Sequence, residues 1–269
     1  MTKMNAVKIV SVMSYMICLL VNTVLATTTT SSDNLQDVRA TKRVATVRLA
    51  TLEWPPYSSA KIENGGEIVH KVVTIFRHMG YVAKVDVLPW SRAVRSTYGD
   101  RPKYQAYFPE YPLSDTQFRL SDAVGISEVG LVQRKDRTLK LDSALSLQKY
   151  RLGVVQDYVN TQEIDALIAN KQIKPIVAIS DRQNLVRVLN GDIDVAVIDK
   201  RVMRHLIVHD KELNEHHTGN LIFNNALSEH ITLHVAFNRY LTDDDFIDQF
   251  NQALAELETM NTMSDEALF

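Results

Sequence analysis

Tyr104-Gln-Ala-Tyr-Phe-Pro-Glu-Tyr-Pro-Leu-Ser-Asp-Thr-Gln-Phe-Arg119 closes the first of two repeating blocks, and its reading decides how those blocks are arranged. Its first five residues, dense in aromatics, read as a short buried strand. Pro109 and Pro112 then stop regular structure, and a polar loop leads to an arginine. In an open α/β sheet, ligands bind where loops leave the carboxyl ends of strands, so Arg119 is a candidate for holding a carboxylate or phosphate. The ordinary alternative for one such residue is a surface arginine.

Working outward, the chain before Tyr104 alternates between strand and helix patterns. Val44 to Ala50 and Val82 to Leu88 read as strands. Between them, Glu67 to Met79 places Ile68, Val69, Val72, Val73, Phe76 and Met79 on one helical face and stops at Gly80. Trp90 to Tyr98 is a short helix ended by Gly99, so Tyr104 to Phe108 becomes the third strand of a β-α-β-α-β unit. The same order recurs about 100 residues later: strand Leu152 to Val155, helix Thr161 to Ala169, strand Pro175 to Ile179, helix Asp181 to Leu189 and strand Ile193 to Ile198. Ser180 and Gln183 form a capping-box pattern for the last of these helices.

Two such units predict an α/β fold of two doubly wound lobes with parallel sheets and right-handed crossovers. The cleft between lobes would be lined by Leu52-Glu-Trp-Pro-Pro-Tyr-Ser58, Pro89-Trp-Ser-Arg92, Gln156-Asp-Tyr-Val-Asn-Thr161, Ser180-Asp-Arg-Gln-Asn184 and Asp199-Lys200. Near the end, Thr242 is placed to cap a helix whose Phe246, Ile247, Phe250, Leu254 and Leu257 need a surface, expected on the first lobe. That return requires two chain crossings, hence a hinge. The expected division is residues 44–133 plus 237–269 for lobe 1 and 134–236 for lobe 2.

Residues 1–26 read as a signal peptide: Lys3 and Lys8 form a basic head, Val7 to Val21 is nearly all apolar, and Val24-Leu-Ala26 offers a cleavage site. The sole cysteine, Cys18, lies inside this segment after Ile17, so neither a lipid anchor nor a disulfide is expected in the processed chain. Residues 27–43, rich in Thr and Ser, read as a disordered leader. Processing removes two lysines, leaving 28 basic against 32 acidic side chains, a balance that gives nucleic acid and anionic membranes no reason to bind. His205 and His209 stand four apart on a helical stretch, but no third ligand accompanies them, and neither a metal nor another cofactor is expected.

With these residues in place, the chain resembles the family 3 extracellular solute-binding proteins, the periplasmic receptors typified by those for polar amino acids. The resemblance spans roughly Val44 to Glu258. It rests on Pro55-Pro-Tyr57, Pro89-Trp90, Thr116-Gln-Phe-Arg119 and Gly191-Asp-Ile-Asp-Val-Ala-Val-Ile-Asp199. It implies a two-lobe binding protein of the type II periplasmic kind that closes on a small ligand. Arg119 then resembles the family's carboxylate clamp and Asp199 the acid that takes the ligand's ammonium group. Trp54, Tyr57 and Trp90 would supply walls, and Ser114 lies near where the family uses small hydroxyls. The chain departs from the family at Phe108-Pro-Glu-Tyr-Pro112, which brings Glu110 and Tyr111 toward the cleft. It departs again at Asp157 and Tyr158, where the family usually has Gly and a hydroxyl residue. Glu110 and Asp157 each face either the cleft or solvent; in the cleft, with Asp199 and against Arg119 and Arg92, they favour a cationic or multi-amine ligand.

The resulting expectation is a monomeric periplasmic receptor, not an enzyme, that hands a small polar, amine-bearing solute to an ABC-type permease. One alternative keeps the binding but makes the partner a membrane sensor. Another is a dehydratase-like enzyme with Glu110 or Asp157 as general acid or base.

Overall fold

The computed structural model describes residues 44–137, 139–217 and 219–266. The expected signal peptide, the leader and Cys18 lie outside these residues.

Strand β1 (Thr46–Thr51) lies between β2 (Val82–Val87) and β3 (Ala106–Glu110), parallel to both. Helices α1 (Glu67–His78) and α2 (Trp90–Arg95) make the crossovers. Helix α1 buries Ile68, Val69, Val72 and Phe76 of the predicted face together with Ile75, while Val73 and Met79 of that face pack against the core half-buried. After a short β4 (Phe118–Leu120) comes the ten-residue β5 (Gly125–Arg134). The second unit follows as β6 (Leu152–Val155), α3 (Gln162–Ala169), β7 (Ile176–Ala178), α4 (Asp181–Asn190) and β8 (Val195–Asp199). Helices α5 (Lys200–His209) and α6 (Lys211–His217), the 18-residue β9 (Leu221–Asn238) and α7 (Asp244–Glu266) complete it.

The strands form a nine-stranded sheet in the order β2-β1-β3-β9-β5-β8-β6-β7, with β4 added alongside β9. Each half repeats one scheme. A parallel trio carries its first strand in the middle, and a fourth, antiparallel strand closes it: β9 against β3, β5 against β8. Strands β5 and β9 also pair with each other, from Gly125↔Leu233 to Arg134↔Leu221. The chain thus enters the second half along β5 and returns along β9, the two crossings the sequence led us to expect. Neither was recognised there as a long crossing strand, although the stretch holding His230 and His234, within β9, reads as strand. Both are long and only partly buried, and their alternation is broken by polar positions such as Ser127, Glu128, Asn224 and Glu229.

Alternation assigns the core. In β8, Val195 and Val197 enter a cluster with Leu131, Leu147, Leu152 and Ile164, while Ala196 and Ile198 face Leu185, Val188, Met203 and Leu213 on the other side. In β3, Ala106 and Phe108 face the cluster containing Phe76, Phe237 and Phe250, while Tyr107 packs with Ala50, Ala93 and Phe118. Ile247, Phe250 and Leu254 of α7 join the first-half cluster, as expected for the returning helix.

Two capping details differ from expectation. Asp243, not Thr242, caps α7: its Oδ1 accepts the Phe246 N–H at 2.8 Å, while the Thr242 hydroxyl donates to the Asn238 carbonyl at 2.7 Å. At α4, Ser180 accepts from Gln183 N as predicted, but the Gln183 side chain reaches Ile179 N rather than Ser180 N.

Candidate functional site

The carboxyl ends of β1, β3, β6, β7 and β8 bring their following residues to one place, where such sheets bind ligands. After β1, the chain turns tightly, with Trp54 N bonded to the Ser58 carbonyl at 2.7 Å. The first N–H groups of α1 then donate to the carbonyls of Pro56 (3.0 Å) and Tyr57 (2.9 Å). Gly66 permits this approach: its φ is +100°, and a Cβ there would lie 2.7 Å from the Tyr57 carbonyl oxygen. The outcome is a fixed aromatic pair, Trp54 stacked on Tyr57 at 4.6 Å between ring centres.

Pro109 cannot donate to the ladder within β3, and the pairing with β9 shifts register between Tyr107 and Glu110. That irregularity turns Glu110 into the site. Its Oε1 accepts the Tyr111 N–H at 2.8 Å, and the nearby Tyr107 hydroxyl also favours its charged form. Burial nevertheless outweighs both and pushes its pKa up to about 7.

Asp199 ends β8 and caps α5, its Oδ1 accepting the N–H groups of Arg201 (2.7 Å) and Val202 (2.8 Å). Its Oδ2 accepts from the Tyr57 hydroxyl at 3.0 Å and from Ser127 Oγ at 2.7 Å. Because the Ser127 proton is committed to Asp199, the Tyr111 hydroxyl, 2.8 Å from Ser127, is the donor to it. Asp199 is 3% exposed, and burial raises its pKa against these hydrogen bonds.

Asp181, 6% exposed at the start of α4, shares the site. Burial first, then the nearby Asp199 charge, push its pKa up to about 7, only partly offset by its own N–H and the Trp54 side chain.

These groups border two small cavities. One, of about 40 Å³, is lined by Leu52, Trp54, Trp90, Pro109, Glu110, Tyr111, Tyr158, Val159 and Leu233. The other, of about 20 Å³, has room for about one water and is lined in part by Trp54, Tyr111, Tyr158, Asp181 and Asp199. Neither has a lysine, arginine or histidine among its described lining residues. A wider cleft of about 930 Å³ shares Trp54, Trp90, Tyr158 and Asp181 and adds Glu53, Ser91, Arg182 and His205.

Of the residues singled out in the sequence, Trp54, Tyr57, Trp90, Glu110, Tyr158 and Asp199 come together here. Asp157 is exposed at the outer rim, lining a further cavity of about 350 Å³ with Glu110. Three are placed elsewhere. Arg119 lies within β4 rather than at a strand end, and its guanidinium bonds Asp244 and Asp248 of α7. Ser114 and Arg92 are exposed and line none of these cavities. The sequence reading missed Asp181, although an acid opening a helix just beyond a strand, in a stretch already assigned to the cleft, was a usable signal. It also missed Ser127, which sits in the unrecognised β5. His205 and His209 stack at 4.1 Å on α5, yet among the described residues no three metal-ligating side chains come together.

No protein-family model and no curated protein sequence matches the chain. Solved structures do match. A histidine kinase sensor domain with similarity to periplasmic binding proteins superposes with a TM-score of 0.68 at 16% identity, covering 83% of this chain and 94% of that one. An arginine third transport system periplasmic binding protein from Legionella pneumophila gives 0.63 at 14% identity, covering 81% and 96%. The ancestral amino acid-binding protein AncCDT-1, a precursor of cyclohexadienyl dehydratase, gives 0.63 at 16%, covering 82% and 92%. At these identities the likeness is one of architecture, and by that architecture this chain has the periplasmic binding protein-like fold.

Proposed function

We propose that the chain is a periplasmic solute-binding receptor that closes on a small cationic solute, bearing an amino or guanidino group, and presents it to a membrane partner. The observation that carries this is the pair Asp181 and Asp199, two buried carboxyl groups in an aromatic-walled space with no basic side chain among its described lining residues. Burying two acids together is costly unless they are protonated or meet a cation. An ammonium or guanidinium group entering between them, with Trp54, Tyr111 and Tyr158 as walls, supplies that cation and gains ring contacts.

Thermal melts of the purified protein with amines, guanidines, neutral amino acids and organic acids test the reading. A solute at a hundred times its dissociation constant adds about 2.7 kcal/mol of stability. Amines or guanidines should raise the melting temperature by several degrees, and Asp199→Asn should abolish most of that rise. A rise seen only with neutral or anionic solutes would overturn it.

The fold is shared by a transport-system receptor and a sensor domain, so two partner classes are open to test. Crosslinking in cells with bound solute, followed by identification of a permease or of a sensor ectodomain, separates them. The neutral-range pKa of Glu110 also suits a general acid. Turnover of a bound carboxylic acid that is lost in Glu110→Gln would replace the receptor with an enzyme.

A further inference from the structure

We infer that the solute is a dication with an apolar spacer and no carboxylate, one charged end held by Asp181 and Asp199, the other by Glu110, and the spacer lying along Trp54, Tyr111 and Tyr158. The inference rests on the receptor reading and narrows it.

Trp54, Tyr111 and Tyr158 line both inner cavities, whereas Glu110 lines only one and Asp181 and Asp199 only the other. Two acidic poles therefore flank a shared wall of rings. Ring faces suit methylene groups and the flanks of ammonium groups, and each pole suits one cation. A ligand with a single positive end engages one pole and gains nothing at the other. A ligand carboxylate would lose its hydration among acids and ring faces, with no arginine fork among the described lining residues of the two inner cavities to replace it. Arg119, the arginine the sequence offered for such a fork, is committed to Asp244 and Asp248. Burial pushes the Glu110 and Asp181 carboxyls up to about 7, so one acid at each pole can give up its proton when a cation arrives. The present inner cavities are small, and the wider cleft that shares Trp54, Trp90 and Tyr158 supplies the path in.

Titration calorimetry of the purified protein with α,ω-diamines of increasing chain length, alkyl monoamines of matched length, and diamino acids that add an α-carboxylate tests this. Diamine affinity should peak at one chain length and exceed both the matched monoamine and the matched diamino acid by about tenfold or more. In Glu110→Gln the diamine-to-monoamine ratio should collapse toward one. Monoamines or diamino acids that bind the wild type as tightly as diamines overturn the inference, whatever the variant does, and leave the receptor reading standing. An unchanged ratio in Glu110→Gln removes Glu110 as the second pole and overturns it equally. If no amine of any kind binds, both the inference and the receptor reading fall.

Discussion

Glu110, half-buried, and Asp181, buried, show what desolvation does to a carboxyl group in this site. In the unfolded chain they titrate near 4.5 and 3.8; in the folded chain both are pushed up to about 7. Between those limits the native state binds more protons than the unfolded state, so the stability of the ligand-free protein falls as pH rises. Acids held low by partners, such as Asp194 beside Arg151, stay ionised through most of this window and do not oppose the slope. Acidification from about pH 7 to about pH 5 should therefore raise the melting temperature of the ligand-free protein, and Glu110→Gln and Asp181→Asn should each flatten the trend. Slopes left unchanged by both Glu110→Gln and Asp181→Asn would show that these groups are ionised in the fold. At this scale the sequence named Glu110 through its departure from the family pattern. It did not name Asp181, whose significance depends on Asp199 being beside it in space.

Helix α7 decides the role of Arg119. The helix packs Ile247, Phe250 and Leu254 against Phe76 and Phe237, which brings Asp244 and Asp248 over β4. Arg119 bonds both acids and the Asp244 carbonyl. Its side chain is 27% exposed and its partners are more so, so the pairing contributes about 1 kcal/mol or less. Arg119→Ala should lower the melting temperature slightly and leave solute affinity within about twofold of wild type. A larger loss of affinity with the fold intact would return Arg119 to the binding site. The sequence misplaced this residue because the short β4 carries too little pattern to distinguish from a polar loop, and its pairing to β9 is contributed from over a hundred residues away.

Across the whole molecule, the two halves of the sheet are tied on either side of the cleft. Trp90 Nε1 donates to the Asp157 carbonyl at 3.1 Å, and Ser91 Oγ donates to the Asp157 carboxylate at 2.5 Å. Asp157 makes these bonds from a left-handed backbone, φ +61°, which asparagine and aspartate tolerate better than most residues. The Tyr57–Asp199 bond and the Arg201–Glu67 ion pair run between the same halves. On the proposed receptor reading, the halves would separate about the paired segments of β5 and β9, where both crossings lie. Removing one tie should shift the ligand-free population toward open forms. Ser91→Ala should increase the radius of gyration measured by X-ray scattering without solute, weaken binding by about 1 kcal/mol, and restore wild-type dimensions at saturation. Dimensions and affinity both unchanged would show that this bond does not hold the cleft.

The sequence by itself determined the elements with strong local signals. Strand Leu152–Val155 has the limits it predicts, α1 packs the stripe it predicts against the core, and the repeated β-α-β-α-β order carries the architecture. These follow from periodicity and stop residues, which act within one element. Tertiary structure alone decided which acids meet and which arginine does not. The register shift at Pro109, the burial that holds Glu110 and Asp181 near neutrality, and the engagement of Arg119 by α7 all depend on contacts between segments far apart in sequence. Burial and charge proximity are properties of position in space, and no local pattern encodes them.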